Sequence, residues 1–397
     1  MSNSSPVRPA AYVREARRAV IAFFMLHGLL SAAWVVRIPD VKNQLKLSDG
    51  ELGLALLGSP VGAIAGQFLV GWLLGKFGSK IMTYAIAILW CFLFPLMGLA
   101  PNMLALTVLL FFYGVMAGGL DVAMNSQAAL VEKLYGRPIM SFFHGTWSVA
   151  SLVAATIGGF LAGHGVPVEW HFLGSALFVL VGSTVAQNWL IKEERPATTE
   201  KHSFVLLPRS LVLLGLLAFC ALLLEGAIGD WSAVYLRETL GSPPTEAAAG
   251  FIAFSLFMTI ARLTGDWITV RLGPARMVRY GGLLTFAGLI LFVASPWPYL
   301  AIAGCALIGA GIASPFPLVI TAAARNPHVS PGRAISAMAT VGYSGGLLGP
   351  PLIGGVAELV SLRGALSLLC VAALTMLLFG GQVQPSAEPA PVVSEVA

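Results

Sequence analysis

The chain has 397 residues, of which 57% are hydrophobic and only 10% charged. That balance excludes a soluble globular domain and defines a polytopic membrane protein, because so little charge cannot cover a water-facing surface. The formal net charge of +5 would suit a nucleic-acid partner, but the basic residues precede the first apolar stretch and recur at every second loop between stretches, which excludes one.

In chain order, residues 1–19 read as an N-terminal arm, with Met1–Ala11 expected to be disordered. Twelve apolar stretches follow, at 20–38, 52–74, 81–99, 103–126, 139–163, 172–191, 211–236, 248–270, 278–294, 299–321, 334–357 and 364–380. Each is close to the roughly 20 residues a spanning helix needs. The first run lacks an A-x-A-like cleavage site and reads as a span, not a signal peptide. The stretches give a first half at 20–191, a linker at 192–210, a second half at 211–380 and a disordered tail at 381–397. Helices satisfy their own backbone in hydrocarbon, so the expected fold is an all-α bundle of twelve transmembrane helices.

Of the 23 Lys and Arg, 17 lie before the first span or in every second loop. They are Arg8, Arg14, Arg17, Arg18, Lys76, Lys80, Lys133, Arg137, Lys192, Arg195, Lys201, Arg209, Arg271, Arg276, Arg279, Arg325 and Arg333. The opposite loops hold Arg37, Lys42, Lys46, Arg237 and Arg363. By the positive-inside rule both termini are expected to be cytoplasmic. Cys91, Cys220, Cys305 and Cys370 fall within spans without ligand spacing and read as packing residues.

The second six spans echo the first at an offset of 195 to 197 residues. Trp34 matches Trp231, Ser48 and Gly53 match Thr245 and Gly250, and Gly114 matches Gly309. Gly71, Lys76 and Gly78 match Asp266, Arg271 and Gly273, while Gly136-Arg137 and Gly158-Gly159 match Gly332-Arg333 and Gly354-Gly355. Six helices per half give both halves the same orientation, hence a parallel repeat with its binding site expected between the halves.

This organisation resembles the major facilitator superfamily over nearly the whole chain. The segment Gly71-Trp-Leu-Leu-Gly-Lys-Phe-Gly-Ser-Lys80 resembles that superfamily's gating loop, with Gly75, and Val270 in the echo, where an acidic residue is usual. Trp34-Val-Val-Arg-Ile-Pro39, Gly119-Leu-Asp-Val-Ala-Met-Asn125, Phe143-His-Gly-Thr-Trp-Ser148 and Glu225-Gly-Ala-Ile-Gly-Asp-Trp-Ser-Ala-Val-Tyr235 resemble the YbjJ-type bacterial subgroup and, more distantly, fucose-permease-like proton symporters. The resemblance implies two pseudo-symmetric six-helix halves and a monomeric carrier in a bacterial inner membrane. It also implies a gating role for Gly71, Lys76, Gly78 and Arg271.

Ionisable groups inside spans cost at least ~2.5–3.5 kcal/mol on insertion scales and so usually face a wet cavity or a partner. Asp121 in the fourth span, with Asn125 one turn on, reads as a proton-coupling carboxyl or as a packing carboxyl. Glu225 in the seventh span carries the same pair of readings. Asp230 and Arg237 suggest an ion network at an outer gate. His27, Ser31 and Trp34 form one stripe, and His144, Trp147 and Ser148 another; with Asn125 these are the candidate cavity residues, the Trp rings suiting sugar-like solutes. Trp34 and Trp231 equally suit interfacial anchoring. Arg262 and Asp266, four residues apart, suggest an intrahelical pair at an inner gate. Ser314-Pro-Phe-Pro317 is expected to break the tenth helix. Gly71 to Gly78 lacks phosphate-loop spacing, so no nucleotide-driven pump, cofactor, metal or catalytic role is expected. The expected function is proton-coupled secondary transport of a small organic solute. The alternatives are proton-antiport export and a non-transporting receptor or scaffold.

Overall fold

The computed structural model describes residues 10–136, 139–192, 211–326, 329 and 331–384, and these contain helices and turns but no strand. The linker and tail expectations fall almost wholly outside these residues. The first half comprises α1 (Ala10–Val35), α2 (Ile38–Leu45), α3 (Asp49–Leu56), α4 (Gly58–Met97), α5 (Met103–Tyr135), α6 (Met140–Gly163) and α7 (Val168–Ala186). The second comprises α8 (Val212–Val234), α9 (Pro244–Leu272), α10 (Pro274–Ala294), α11 (Pro298–Ile312), α12 (Pro315–Ala324), α13 (Pro331–Leu359), α14 (Leu362–Ser367) and α15 (Leu369–Phe379).

Ten helical stretches of the described residues are long and apolar enough to span a membrane. One of them, Asp49–Met97, turns back at Gly78, whose φ of 76° and ψ of 161° no side chain with a Cβ adopts readily. It therefore makes two crossings, and α13 completes the twelve. The chain is a multi-pass membrane protein. Helix α1 starts at Ala10, so the arm is shorter than the sequence suggests: its charged residues extend the first helix beyond the apolar run. The tenth crossing breaks as expected, with α11 ending at Ile312 and α12 opening at Pro315. The four cysteines are free thiols, three of them buried.

Within the halves, α4 packs along α5 and α7, α1 against α6 and α7, α8 against α13, and α11 between α9 and α10. The repeat is visible in atomic detail. Gly273 has φ 79° and ψ 154°, matching Gly78. A Cβ on Gly114 would lie 1.9 Å from the Ser59 carbonyl oxygen, and one on Gly309 would lie 2.1 Å from that of Phe254. Both members of the second pair are shifted by the same 195 residues, so small residues let α4–α5 and α9–α11 approach identically. Ser59 and Phe254 thus fix the structural equivalent of Gly53 as Ala248, not the Gly250 that the sequence suggests.

Two seams join the halves: α3 on α13, and α6 on α9. A Cβ on Gly53 would lie 2.6 Å from the Pro350 carbonyl and 3.0 Å from the Gly354 Cα. A Cβ on Gly159 would lie 2.6 Å from that of Ala248. These are the same contact made twice, since Gly53 and Gly159 map onto Ala248 and Gly354.

Candidate functional site

The two ends of the bundle differ. At the end away from the start of α1, here the far end, the halves are locked together. Short amphipathic α2, opened by Pro39, carries Lys42 inward until it is only 5% exposed. Its ammonium lies 2.6 Å from Asp49 Oδ1 and also contacts Glu238 of the second half. Across the first seam the Gly50 amide donates to Glu358 at 3.0 Å. Arg37 pairs with Asp40 at 2.8 Å and donates to the Val166 carbonyl at 2.7 Å. Burial raises the Asp40 pKa despite the opposing charges of Arg37 and Arg237.

The other end, where α1 begins, is splayed. Helix α4 diverges from α13 soon after α3 ends, and a Cβ on Gly71 would meet nothing within 4 Å. The gating residues Lys76 and Arg271 do not reach across. Each lies over an aromatic ring of its own half, Lys76 3.6 Å from the Trp72 centroid and Arg271 3.4 Å from that of Trp267. Such cation–π pairs are worth about 0.5–1 kcal/mol when exposed.

Between the ends, at the first seam, lies a cavity of about 370 Å³. Its polar lining is Ser31, Ser59, Gln67, Tyr113, Asp230 and Tyr343, with Trp34 as a buried aromatic wall. The Trp34 and Tyr113 ring centroids are 6.3 Å apart.

The structure divides the expected site residues. Ser31 and Trp34 do line the cavity, and Trp34 is 3% exposed. Neither Trp34 nor Trp231 is an interfacial anchor; Trp231 is fully buried in α8. Asp230 also lines the cavity and does not form an ion network with Arg237. Arg237 instead donates to the Ser242 carbonyl at 3.4 Å and acts on Asp40. The helix turns Asp230 inward, while Arg237 lies beyond it in the π-helical turn Tyr235–Thr239.

His27 and Trp147 bind each other rather than opening into that cavity. The Trp147 indole donates to His27 Nδ1 at 2.8 Å, leaving His27 Nε2–H to donate to the Ala117 carbonyl at 3.1 Å. This satisfied imidazole ties α1, α5 and α6 together. Asn125 donates to both the backbone oxygen and Oδ1 of Asp121, at 2.8 and 3.0 Å. The charge of Asp121 acts on His27 and His144, and that of Arg262 acts on His144. His144 itself is exposed, and Ser148 donates to its carbonyl at 3.2 Å.

Arg262 reaches Glu225 on α8, with one nitrogen 3.1 Å from each carboxylate oxygen. The Arg262–Asp266 pair expected from the sequence falls outside the described residues, because the Asp266 side chain does. Thus Asp121, Asn125, His144, Glu225 and Arg262 form a polar vestibule, with Asp230 set apart in the cavity.

Sequence reading missed Gln67, Tyr113 and Tyr343, since a search for charge inside spans passes over neutral polar groups. It also missed the Lys42–Glu238 lock. Those residues are 196 apart, within the repeat offset, so opposite charges at equivalent positions were the available signal.

A family model described as the Major Facilitator Superfamily matches residues 19–350 and 214–395. The chain belongs to this superfamily, a family of transporters rather than enzymes. It is 36% identical to an uncharacterised transporter, y4wD, of Sinorhizobium fredii, over 87% of this chain and 92% of that protein. It is 33% identical to an uncharacterised MFS-type transporter of Yersinia pestis, over 90% and 92%. Among solved structures, a bacterial homologue of the human lysosomal transporter Spinster aligns with a TM-score of 0.74 at 14% identity, covering 96% of this chain and all of that one. A D-xylose–proton symporter aligns with a TM-score of 0.67 at 15% identity, covering 94% and 99%.

Proposed function

We propose that this transporter moves a small polar organic solute by proton-coupled alternating access, as a monomer in a bacterial inner membrane with both termini cytoplasmic. The observation that carries the reading is the asymmetry of the bundle: a polar cavity at the seam between two halves that are latched at one end and apart at the other. A second state, latched at the opposite end, would expose that cavity to the other side. The basic loops favour a cytoplasmic splayed end, which makes this conformation inward-open.

Proton coupling requires a carboxyl whose surroundings change between the two states. Asp121 and Glu225 qualify because both sit in the vestibule that opens and closes. Asp121 has Asn125 to hold its carboxylate, and Glu225 has Arg262 on the neighbouring helix. Sugar-like solutes fit the aromatic wall and hydroxyl-bearing lining, and the D-xylose–proton symporter has the same fold.

The test is uptake into proteoliposomes under an imposed proton gradient, across sugars, polyols, amino acids and drugs. Asp121→Asn is expected to abolish gradient-driven accumulation while sparing exchange, because an amide keeps the shape but cannot cycle a proton. Full accumulation by that variant removes Asp121 from the mechanism. Absence of gradient-driven movement of every solute by the unmodified chain refutes proton-coupled transport.

A further inference from the structure

The acidic groups within the membrane differ in what holds them. Asp121 accepts from Asn125, and Glu225 is paired with Arg262. Among the described residues Asp230 has neither an ion pair nor a hydrogen bond, and it faces the cavity. The titratable groups facing it are phenols: Tyr113 of α5, on which the Asp230 charge acts, and Tyr343 of α13, which also faces Asp121 and Glu225. Among the described residues no Lys, Arg or His lines this cavity. Along the same helix the next cation, Arg237, is engaged at the far end.

Any solute carrying a carboxylate or phosphate would find no cation among the described lining residues to pair with and would meet the Asp230 carboxyl instead, and a charge enclosed without a partner is costly. A monocation would be satisfied by Asp230 and the rings, yet would leave Ser59 and Gln67 of the lining without partners, which is costly for enclosed polar groups. A solute with several hydroxyls uses all of them: it donates to Asp230, exchanges hydrogen bonds with the two serines and Gln67, and lays an apolar face on Trp34. We propose that Asp230 is the specificity-determining residue of this cavity, accepting hydrogen bonds from a neutral, hydroxyl-rich solute and rejecting anionic ones. This rests on the transport reading above and adds to it the charge class of the solute.

The test is calorimetric titration of the purified full chain with D-xylose, myo-inositol and related neutral pentoses and polyols, with succinate as anion and choline as monocation. At least one neutral solute is expected to bind, and succinate and choline are not. Asp230→Asn, close in shape, should weaken that binding at least tenfold, whereas Lys133→Gln, exposed near the end of α5, should change it less than twofold. Removal of the charge should also let succinate compete detectably. Unchanged neutral-solute affinity in Asp230→Asn overturns the inference, as does tighter binding of succinate or choline than of every neutral solute. If the unmodified chain binds none of these probes and moves no solute in proteoliposomes, the transport reading fails and takes this inference with it. If it transports other solutes but binds none of the neutral ones, only the inference fails.

Discussion

The far end and the splayed end are built from the same repeat, yet one closes and the other does not. At the far end the contacts leave no room for larger side chains: Gly53 and Gly354 let the backbones of α3 and α13 touch directly, and Gly159 of α6 admits the Ala248 methyl of α9. Lys42, nearly buried, then spans the halves. At the splayed end the corresponding cations lie over tryptophans of their own halves. Closure at one end therefore rests on packing that tolerates no added atom, whereas the other end is held open by locally satisfied charges that cost little to rearrange.

The largest effect should come from the seam. Gly354→Ala places a methyl 2.5 Å from the Asp49 carbonyl oxygen, and overpacking of this kind typically costs about 1–3 kcal/mol. Set against closure, that lowers the closed-to-open ratio at this end about fivefold to 150-fold. Gly71→Ala meets nothing within 4 Å in this state and should leave it intact. Reactivity of a cysteine introduced at Trp34, probed from each side of oriented proteoliposomes, reads the difference. Equal profiles for the two variants would dissolve the contrast between the ends.

Next comes the lock. Lys42→Met leaves Asp49 and Glu238 without their shared cation, and a stranded buried polar group costs about 1–3 kcal/mol, more when it is charged and fully enclosed. The partners' partial exposure places the loss toward the lower figure. Thermal unfolding should recover part of it in Lys42→Met with Glu238→Leu; purely additive losses would mean that the pair does not join the halves.

A smaller change is expected at the vestibule. Arg262 and Glu225 are 43% and 33% exposed, and such pairs contribute about 0–1 kcal/mol. Arg262→Gln should shift the unfolding midpoint less than Lys42→Met does. A larger destabilisation would show that this pair within the second half outweighs the lock between the halves.

The smallest effect concerns pH at the far end. Burial raises the Asp40 pKa more than Arg37 and Arg237 lower it. The folded chain therefore holds this proton more tightly than the unfolded one. The stabilisation is fully present below the ordinary aspartate value of about 3.9 and is lost as pH rises through the raised folded value. Asp40→Asn should flatten that part of the stability–pH curve relative to the unmodified chain. A steeper slope in the variant would reverse the assigned sign.

Span count, repeat and fold class were legible in the sequence because they depend on local properties. Apolar length defines a crossing, charge between crossings alternates, and the paired glycines at Gly78 and Gly273 mark backbone that only glycine adopts freely. The Pro residues from Ser314 to Pro317 broke the tenth crossing as their missing N–H groups require. Which polar group faces which neighbour depends instead on helix rotation and on residues far along the chain. A local rule offers Arg262 only Asp266, and it is the approach of α8 to α9 that brings Glu225 within its reach. His27 and Trp147 both looked like cavity residues until α1 and α6 met and satisfied them. Asp230 stood one and two turns from charged residues in sequence, yet the rotation of α8 set it in the cavity apart from both. Periodicity and composition fix the solvent a helix crosses; only the packed bundle decides where a polar side chain finds its partner, because that choice is made between helices rather than within one.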